Sequence, residues 1–167
     1  MGKLKKFLDF QSWFQHKEEV FNVRPIDKRD IETLRCWKND HRHTFFHQEI
    51  ILPTQQRSWY TNFSKNSDEQ MFLCETKMEP VACVGFKKNT PQRIELFNLI
   101  CGHHDYQGAG LMSLFYGTIE KKLEKAGVNN IYLHVLKNNT LAQKWYQKQG
   151  YSFSGEDENS YLMSRIL

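Results

Sequence analysis

The spacing of apolar residues changes repeatedly along the chain, and each change predicts a secondary-structure element. Alternating or continuous apolar runs predict strands at "EVFNVRPI", "RIELFNLIC", "NIYLHVL", "YSFSG" and "SYLMSRIL", and two more within "QMFLCETKMEPVACVGFKK". Helical spacing predicts helices at "DKRDIETLRCWKND", "PTQQRSWYTNFSKN" and "NNTLAQKWYQKQG", and along a stripe at positions 111, 115, 119 and 123. This order of elements predicts an α/β domain dominated by one mixed sheet.

A separate apolar stripe near the N-terminus has approximate helical spacing, at Leu4, Phe7, Leu8, Phe10, Trp13 and Phe14. It predicts an amphipathic helix over residues 3–15, within an N-terminal extension that spans residues 1–20. Two positions are open for this helix. It docks on the domain, which we favour, or it lies on a membrane surface, because three lysines stand among its first residues.

Composition limits the class of protein. The chain has 167 residues, 40% hydrophobic and 25% charged, which fits one domain over residues 1–167. A net charge of +4 suits an anionic ligand and gives little support to nucleic-acid binding. We find no apolar run long enough to span a membrane and no secretory signal, so we expect a cytoplasmic protein. The four cysteines show no C-x-x-C spacing, and we expect reduced cysteines and no metal site.

The segment "DYQGAGLMS" places Gly108 and Gly110 where a predicted strand passes into a predicted helix. Glycine at such a position costs roughly 1 kcal/mol relative to alanine, so a close approach to the backbone is expected there. Helix starts carry unpaired N–H groups and the positive end of the dipole, which favour a phosphate. The segment lacks the P-loop pattern and the Rossmann spacing, so neither a nucleoside triphosphate nor a dinucleotide is indicated.

A second pattern follows about 30 residues later, where "NNTLAQKWYQKQGYSF" places Asn139, Ala142 and Tyr146 at helical spacing before Gly150. The two patterns together resemble the GNAT superfamily of acetyl-CoA-dependent N-acetyltransferases. Residues 107–112 correspond to its [QR]-x-x-G-x-[GA] motif, with Met112 in place of the final small residue. Residues 139–151 correspond to its N-x-x-A-x-x-x-Y-x-x-x-G-[FY] segment, and the resemblance spans residues 22–167.

The resemblance implies a mixed, largely antiparallel central sheet flanked by helices, with acetyl-CoA as acyl donor and no metal. It assigns Tyr146 to protonation of the departing thiolate. It assigns coenzyme binding to Ile100, Gly102, Gln107, Gly108, Ala109, Gly110, Leu111, Met112 and Asn139. In the superfamily, several members keep a catalytic glutamate near the position of Glu95, which we take as the first candidate for the general base. His134, His103 and His104 remain alternatives, because the pKa of histidine suits proton transfer at neutral pH.

The N-terminal half resembles a branch of the superfamily that acetylates nucleotide-linked 4-aminosugars, including those of pseudaminic acid synthesis. The matching pattern is W-[RK]-N … I-x-x-x-x-[QH]-x-x-[WF], and it implies acceptor binding by Trp37, Lys38, Asn39, Gln56 and Trp59. Acetylation of a protein N-terminus or lysine is the alternative activity, and a non-catalytic acyl-CoA-binding protein is the alternative outside enzymes. Assembly as a homodimer is open.

Overall fold

The computed structural model describes residues 7–8 and 10–167, and its eight strands form one sheet in the order β1-β2-β3-β4-β5-β6-β8-β7. Neighbouring strands are antiparallel except β5 and β6, which are parallel. The mixed, largely antiparallel sheet expected from the resemblance is therefore confirmed. The strands are β1 Ser12–His16, β2 Glu19–Pro25, β3 Glu69–Glu75, β4 Pro80–Lys88, β5 Arg93–Cys101, β6 Asn130–Leu136, β7 Ser152–Glu156 and β8 Ser160–Ile166.

The predicted N-terminal helix is wrong over the part of it that the structure describes. Ser12–His16 is β1, which forms a hairpin with β2, and residues 7, 8, 10 and 11 are not helical. Pairing with β1 satisfies the backbone N–H and C=O groups along one edge of β2. A helix in the place of β1 would leave that edge of the sheet open. Burial alternates along β1, and the Phe14 ring stacks on Phe21 at 5.3 Å. Residues 1–6 and 9 of the predicted helix lie outside the described residues.

The four helices predicted in the rest of the chain are confirmed. They are α1 Ile31–Asp40, α2 Pro53–Lys65, α3 Leu111–Lys125 and α4 Thr140–Lys148. Asp27, the predicted N-cap, caps a 3-10 turn that leads into α1, because its carboxylate accepts the Arg29 N–H at 2.8 Å. No helix in the described part of the chain is long and apolar enough to cross a membrane.

Helices cover both faces of the sheet, and β3 shows how one strand serves both. Phe72 and Cys74 point into a core cluster that contains the buried stripe of α3 and Tyr146 of α4. Met71 and Leu73, on alternate positions, point into a second cluster with residues of α1 and α2. The continuous apolar run of β3 follows from this burial on both faces.

The sheet opens between β5 and β6. The two parallel strands pair only at residues 93–95 with residues 130–132. Beyond that point β6 continues beside β8 as far as Leu136, and β5 continues beside β4 as far as Cys101. The strands therefore separate in a V, and their facing edges have no strand partner within the described residues.

A β-bulge on β5 lies beside this opening. Cys83 is opposite Ile100 and Gly85 is opposite Phe97, so two residues of β5 face one residue of β4. Asn98 adopts a positive φ of 48° in the bulge. The bulge sets the direction of the Asn98 carbonyl, which accepts a hydrogen bond from the Cys83 thiol at 3.4 Å.

Candidate active site

The loop between β5 and α3 presents a row of free backbone donors. Gly108 and Gly110 have φ values of 73° and 82°, in the left-handed region that glycine adopts without strain. The N–H groups of residues 108–112 have no acceptor among the described residues, and no side chain caps α3. A Cβ added to either glycine would meet nothing within 4 Å. The space beside both glycines is therefore open, at the positive end of a 15-residue helix, which is a favourable place for a phosphate.

Three adjoining cavities run from this loop, through the opening in the sheet, to the space between α1 and α2. The loop cavity has a volume of about 370 Å³ and is lined by residues that include Leu99, Ile100, Gln107, Gly108, Met112 and Tyr146. The central cavity has a volume of about 290 Å³ and is lined by residues that include Phe46, Glu95, Phe97, Asn98, His134 and Tyr146. The helix cavity has a volume of about 200 Å³ and is lined by residues that include Leu34, Lys38, Gln56, Trp59, Cys83 and Asn98.

Shared residues connect the cavities in sequence. Tyr146 and Asn139 line both the loop cavity and the central cavity. Lys38, His47 and Asn98 line both the central cavity and the helix cavity. A donor bound from the loop side and an acceptor bound between the helices would therefore meet in the central cavity, where β5 and β6 separate.

Tyr146 lines both the loop cavity and the central cavity. Its side chain is packed between Trp145 and Tyr151 and is 9% exposed. Burial raises the pKa of Tyr146, so the phenol keeps its proton at neutral pH. Its hydroxyl has no hydrogen-bond partner among the residues that the structure describes, which leaves the proton available to a ligand. This geometry suits a general acid.

Asn139 has a structural role beside its predicted one. It is the N-cap of α4, and its Oδ1 accepts the Ala142 N–H at 3.3 Å. It also lines the loop and central cavities. Capping fixes the start of the helix that carries Tyr146 two turns later, so Asn139 and Tyr146 lie on the same face.

Glu95 lies at the narrow end of the opening, in the last paired position of β5, and lines the central cavity. The Tyr132 hydroxyl donates to its Oε2 at 3.5 Å, and Asn89 Nδ2 donates to that hydroxyl in turn. The Arg93 guanidinium lies 4.3 Å from the centre of the Tyr132 ring. These contacts hold the carboxylate in position. His134, an alternative base, lines the same cavity, whereas His103 and His104 lie outside it, as the N-cap and the first residue of a 3-10 turn before the loop.

Two of the five predicted acceptor-binding residues have structural roles: Trp37 lies in the core, and Asn39 binds the backbone of a loop. Trp37 is 8% exposed in the second core cluster and lines none of the three cavities. Asn39 uses its side-chain amide to bind both backbone groups of Ile51, at 3.1 Å and 2.8 Å. Asn39 therefore fixes the irregular segment before α2, which spans residues 41–52. Lys38, Gln56 and Trp59 do line the helix cavity.

Gly102, a predicted coenzyme contact, has a packing role that the sequence does not reveal. A Cβ at this position would overlap the Trp37 ring. We expect Gly102→Ala to destabilise the protein by about 1–3 kcal/mol through overpacking, measured by urea unfolding. Gly117→Ala is the matched control, because a Cβ on that glycine of α3 meets nothing within 4 Å. Equal stability of the Gly102→Ala variant and the parent would contradict this role.

Sequence reasoning missed several cavity residues. Thr44 and His47 come from the irregular segment, where no periodicity assigns a direction to a side chain. Asn98 enters two cavities because of the bulge. The enrichment of asparagine at positive φ is the signal that points to such a position. Of the described residues, one group offers metal-ligand atoms within 4.8 Å of one another, His103, His104 and Asp105. This group is largely exposed and lies before the loop.

Comparison with known proteins identifies the family. A model of the acetyltransferase (GNAT) family matches residues 10–151. The chain belongs to the GNAT family of acetyltransferases. A search of curated proteins finds no match.

Solved structures with the same fold have low sequence identity. A spermidine N-acetyltransferase from Vibrio cholerae, in complex with CoA and spermine, has a TM-score of 0.72 and 16% identity over 87% of this chain and 95% of its own. FdhC, an apo nucleotide-linked sugar GNAT, has a TM-score of 0.70 and 18% identity over 92% and 90%. A ribosomal-protein-alanine N-acetyltransferase from Brucella melitensis has a TM-score of 0.70 and 13% identity over 87% and 99%. At such identities the similarity shows the fold alone.

Proposed function

We propose that this acetyltransferase uses acetyl-CoA to acetylate the primary amine of a small acceptor, and that the acceptor is a nucleotide-linked aminosugar. The observation that carries the proposal is the opening between β5 and β6, which joins a cavity below a row of free N–H donors to a second cavity between α1 and α2. Such a passage lets two substrates bind from opposite sides and react in the middle.

The donor is assigned to the loop side. The coenzyme pyrophosphate would accept hydrogen bonds from the N–H groups of residues 108–112 at the start of α3. Pantetheine would follow the loop cavity past Ile100, Met112 and Asn139. Its path lies along the open edge of β5, where backbone groups without a strand partner can bind an amide chain in the manner of an added strand.

The reaction we propose is a direct transfer. The neutral amine of the acceptor attacks the thioester carbonyl carbon, a C–N bond forms, and the C–S bond breaks. The amine gives up a proton, for which Glu95 is the proposed base. The thiolate of coenzyme A leaves and takes a proton from the Tyr146 hydroxyl, which the enclosed site keeps protonated. The products are the acetamide and free coenzyme A.

The charges around the acceptor side favour a neutral or anionic acceptor. The helix cavity is lined by Lys38, His47, Gln55, Gln56 and Asn98 among others, and none of its lining residues is acidic. A polyamine, an aminoglycoside or a basic peptide carries several positive charges and needs carboxylates for recognition. Trp59 supplies an aromatic wall, which suits the ring face of a sugar or a base. A nucleotide-linked sugar, including a precursor of pseudaminic acid type, matches these features.

The test is a coenzyme A-release assay with matched acceptors. UDP- and dTDP-linked aminosugars, the corresponding free aminosugars, spermidine, an aminoglycoside and short peptides are compared at equal concentration. We expect turnover with aminosugars and the highest kcat/KM with their nucleotide-linked forms. Turnover confined to peptides or polyamines would refute the acceptor class. Tight acetyl-CoA binding without coenzyme A release from any amine would favour a non-catalytic acyl-CoA-binding protein.

A further inference from the structure

Lys38 is a half-buried cation without a counter-ion in the described part of the chain. It projects from α1 to the junction of the helix and central cavities. Its Nζ donates to Asn98 Oδ1 at 3.0 Å and lies 5.1 Å from the centre of the Phe45 ring. No carboxylate lies within ion-pair distance of it among these residues. An anionic group in the cavity would give this partly desolvated ammonium a partner of opposite sign.

The thiol of Cys83 does not supply that charge. Cys83 lines the same cavity, and burial raises the pKa of its thiol to about 12. The thiol therefore stays neutral near pH 7 and donates its proton to the Asn98 carbonyl at 3.4 Å. Burial also lowers the pKa of Lys38 from its ordinary value. An anion beside the ammonium would reverse that effect, because it favours the charged form.

Gln56 provides a second group that lacks a partner in the same cavity. Its side chain is 7% exposed and lines the helix cavity from α2. Its amide makes no hydrogen bond with any residue that the structure describes. Its amide oxygen and nitrogen are still accessible from the cavity, so an occupant with hydrogen-bonding oxygens can replace water beside them. An ammonium group from α1 and an amide group from α2 thus line one small cavity.

We propose that Lys38 and Gln56 form a subsite for an anionic oxygen group of the acceptor, a phosphoryl or carboxylate group. This inference deepens the proposed function and rests on it. The helix cavity, at about 200 Å³, is smaller than the roughly 300–1,000 Å³ of whole ligand sites, so it holds part of an acceptor. Its junction with the central cavity allows the anionic group to be held while the amine reaches the opening in the sheet. The subsite thereby makes the anionic group a condition for efficient acetylation.

The test compares Lys38→Met with the parent on matched amines. The acceptors are the methyl glycoside of an aminosugar, its 1-phosphate, its nucleotide-linked form and the corresponding aminouronic acid. In the parent we expect the anionic acceptors to exceed the methyl glycoside in kcat/KM. In Lys38→Met we expect a loss of about 10- to 100-fold in kcat/KM for the anionic acceptors, mostly through KM. The methyl glycoside should change much less, and KM for acetyl-CoA should stay constant.

The controls separate a binding role from a structural one. Lys65→Met removes an exposed lysine at the end of α2 and should leave the kinetics unchanged. Gln56→Leu removes the amide at similar volume and should weaken the same anionic acceptors. A preference for the 1-phosphate identifies a phosphoryl group, and a preference for the aminouronic acid identifies a carboxylate. An equal loss on charged and uncharged acceptors in Lys38→Met would overturn the subsite and leave the proposed function intact.

A direct binding measurement does not depend on turnover. The protein is first saturated with coenzyme A, which occupies the donors of the loop, and is then titrated with inorganic pyrophosphate in a calorimeter. We expect one further pyrophosphate to bind to the parent and to Lys65→Met, with at least about a 10-fold weaker affinity in Lys38→Met. Absence of binding to the saturated parent, together with no preference for anionic acceptors, would refute the subsite. No coenzyme A release from any amine would refute the proposed function itself.

Discussion

We expect Tyr146→Phe to lower kcat by roughly 10²–10⁴-fold, the range typical of losing one positioned acid. The hydroxyl has no partner among the described residues, and Tyr146 lines both the loop cavity and the central cavity. The substitution keeps the ring and its contacts with Trp145 and Tyr151. The fold and the affinity for acetyl-CoA should therefore survive. The loss should fall on kcat rather than KM, because the leaving thiolate needs its proton mainly in the transition state.

Tyr151→Phe is the matched control for this measurement. Tyr151 is a buried neighbour whose hydroxyl bonds to that of Tyr116 at 2.6 Å and lines none of the three cavities. Its loss should reduce the free energy of unfolding by about 1 kcal/mol and leave kcat near the parent value. If Tyr146→Phe retains kcat within about twofold of the parent, Tyr146 only packs against its neighbours and a different proton donor serves the thiolate.

The second large effect is expected at Gly110. Gly110→Val should weaken acetyl-CoA binding by roughly 100-fold or more, measured by calorimetry, because a branched side chain would occupy open space next to the free N–H groups of residues 108–112. Loss of one or two charge-assisted hydrogen bonds to a phosphate has an effect of this size. The positive φ of 82° adds strain to any residue with a Cβ.

Gly127→Val separates these two causes. Gly127 follows the other end of α3, has a φ of 88°, and a Cβ there also meets nothing within 4 Å. Both valine variants should lose a similar amount of thermal stability, but Gly127→Val should bind acetyl-CoA as the parent does. Equal affinities of the two variants would show that the loop donors do not hold the coenzyme.

The fold could be predicted well where apolar periodicity was long and the turns were marked. The stripe at 111, 115, 119 and 123 became the buried face of α3, and all four of its residues have no measurable exposure. The N-terminal segment was misjudged because a short apolar run with Phe10, Trp13 and Phe14 fits a helix as well as a strand. Tertiary structure favours the strand over the helix here, because the edge of β2 is available for pairing.

Some residues of the candidate site could likewise be predicted from the sequence, and others could not. The loop glycines could be predicted because a positive φ and a row of free donors demand glycine at a particular place. Lys38 and Gln56 were found through the resemblance, and the structure brings them into one cavity although they lie on different helices. Trp37 matched the same pattern but packs against Gly102. A motif preserves residue types, and it does not state which of them face a ligand.

The parting of β5 from β6 also has a thermodynamic consequence. Three residue pairs are all that joins these two strands within the described chain, so the strands β1 to β5 and the strands β6 to β8 meet along a short seam. A ligand that forms hydrogen bonds with the open edge of β5 and also contacts α4 would add to the contacts that join the two half-sheets. By linkage, a ligand that binds more tightly when the two half-sheets are joined also stabilises their junction. The coupling is reciprocal, so we expect a substitution that weakens the junction of the two half-sheets to weaken coenzyme binding by the free energy that the two share.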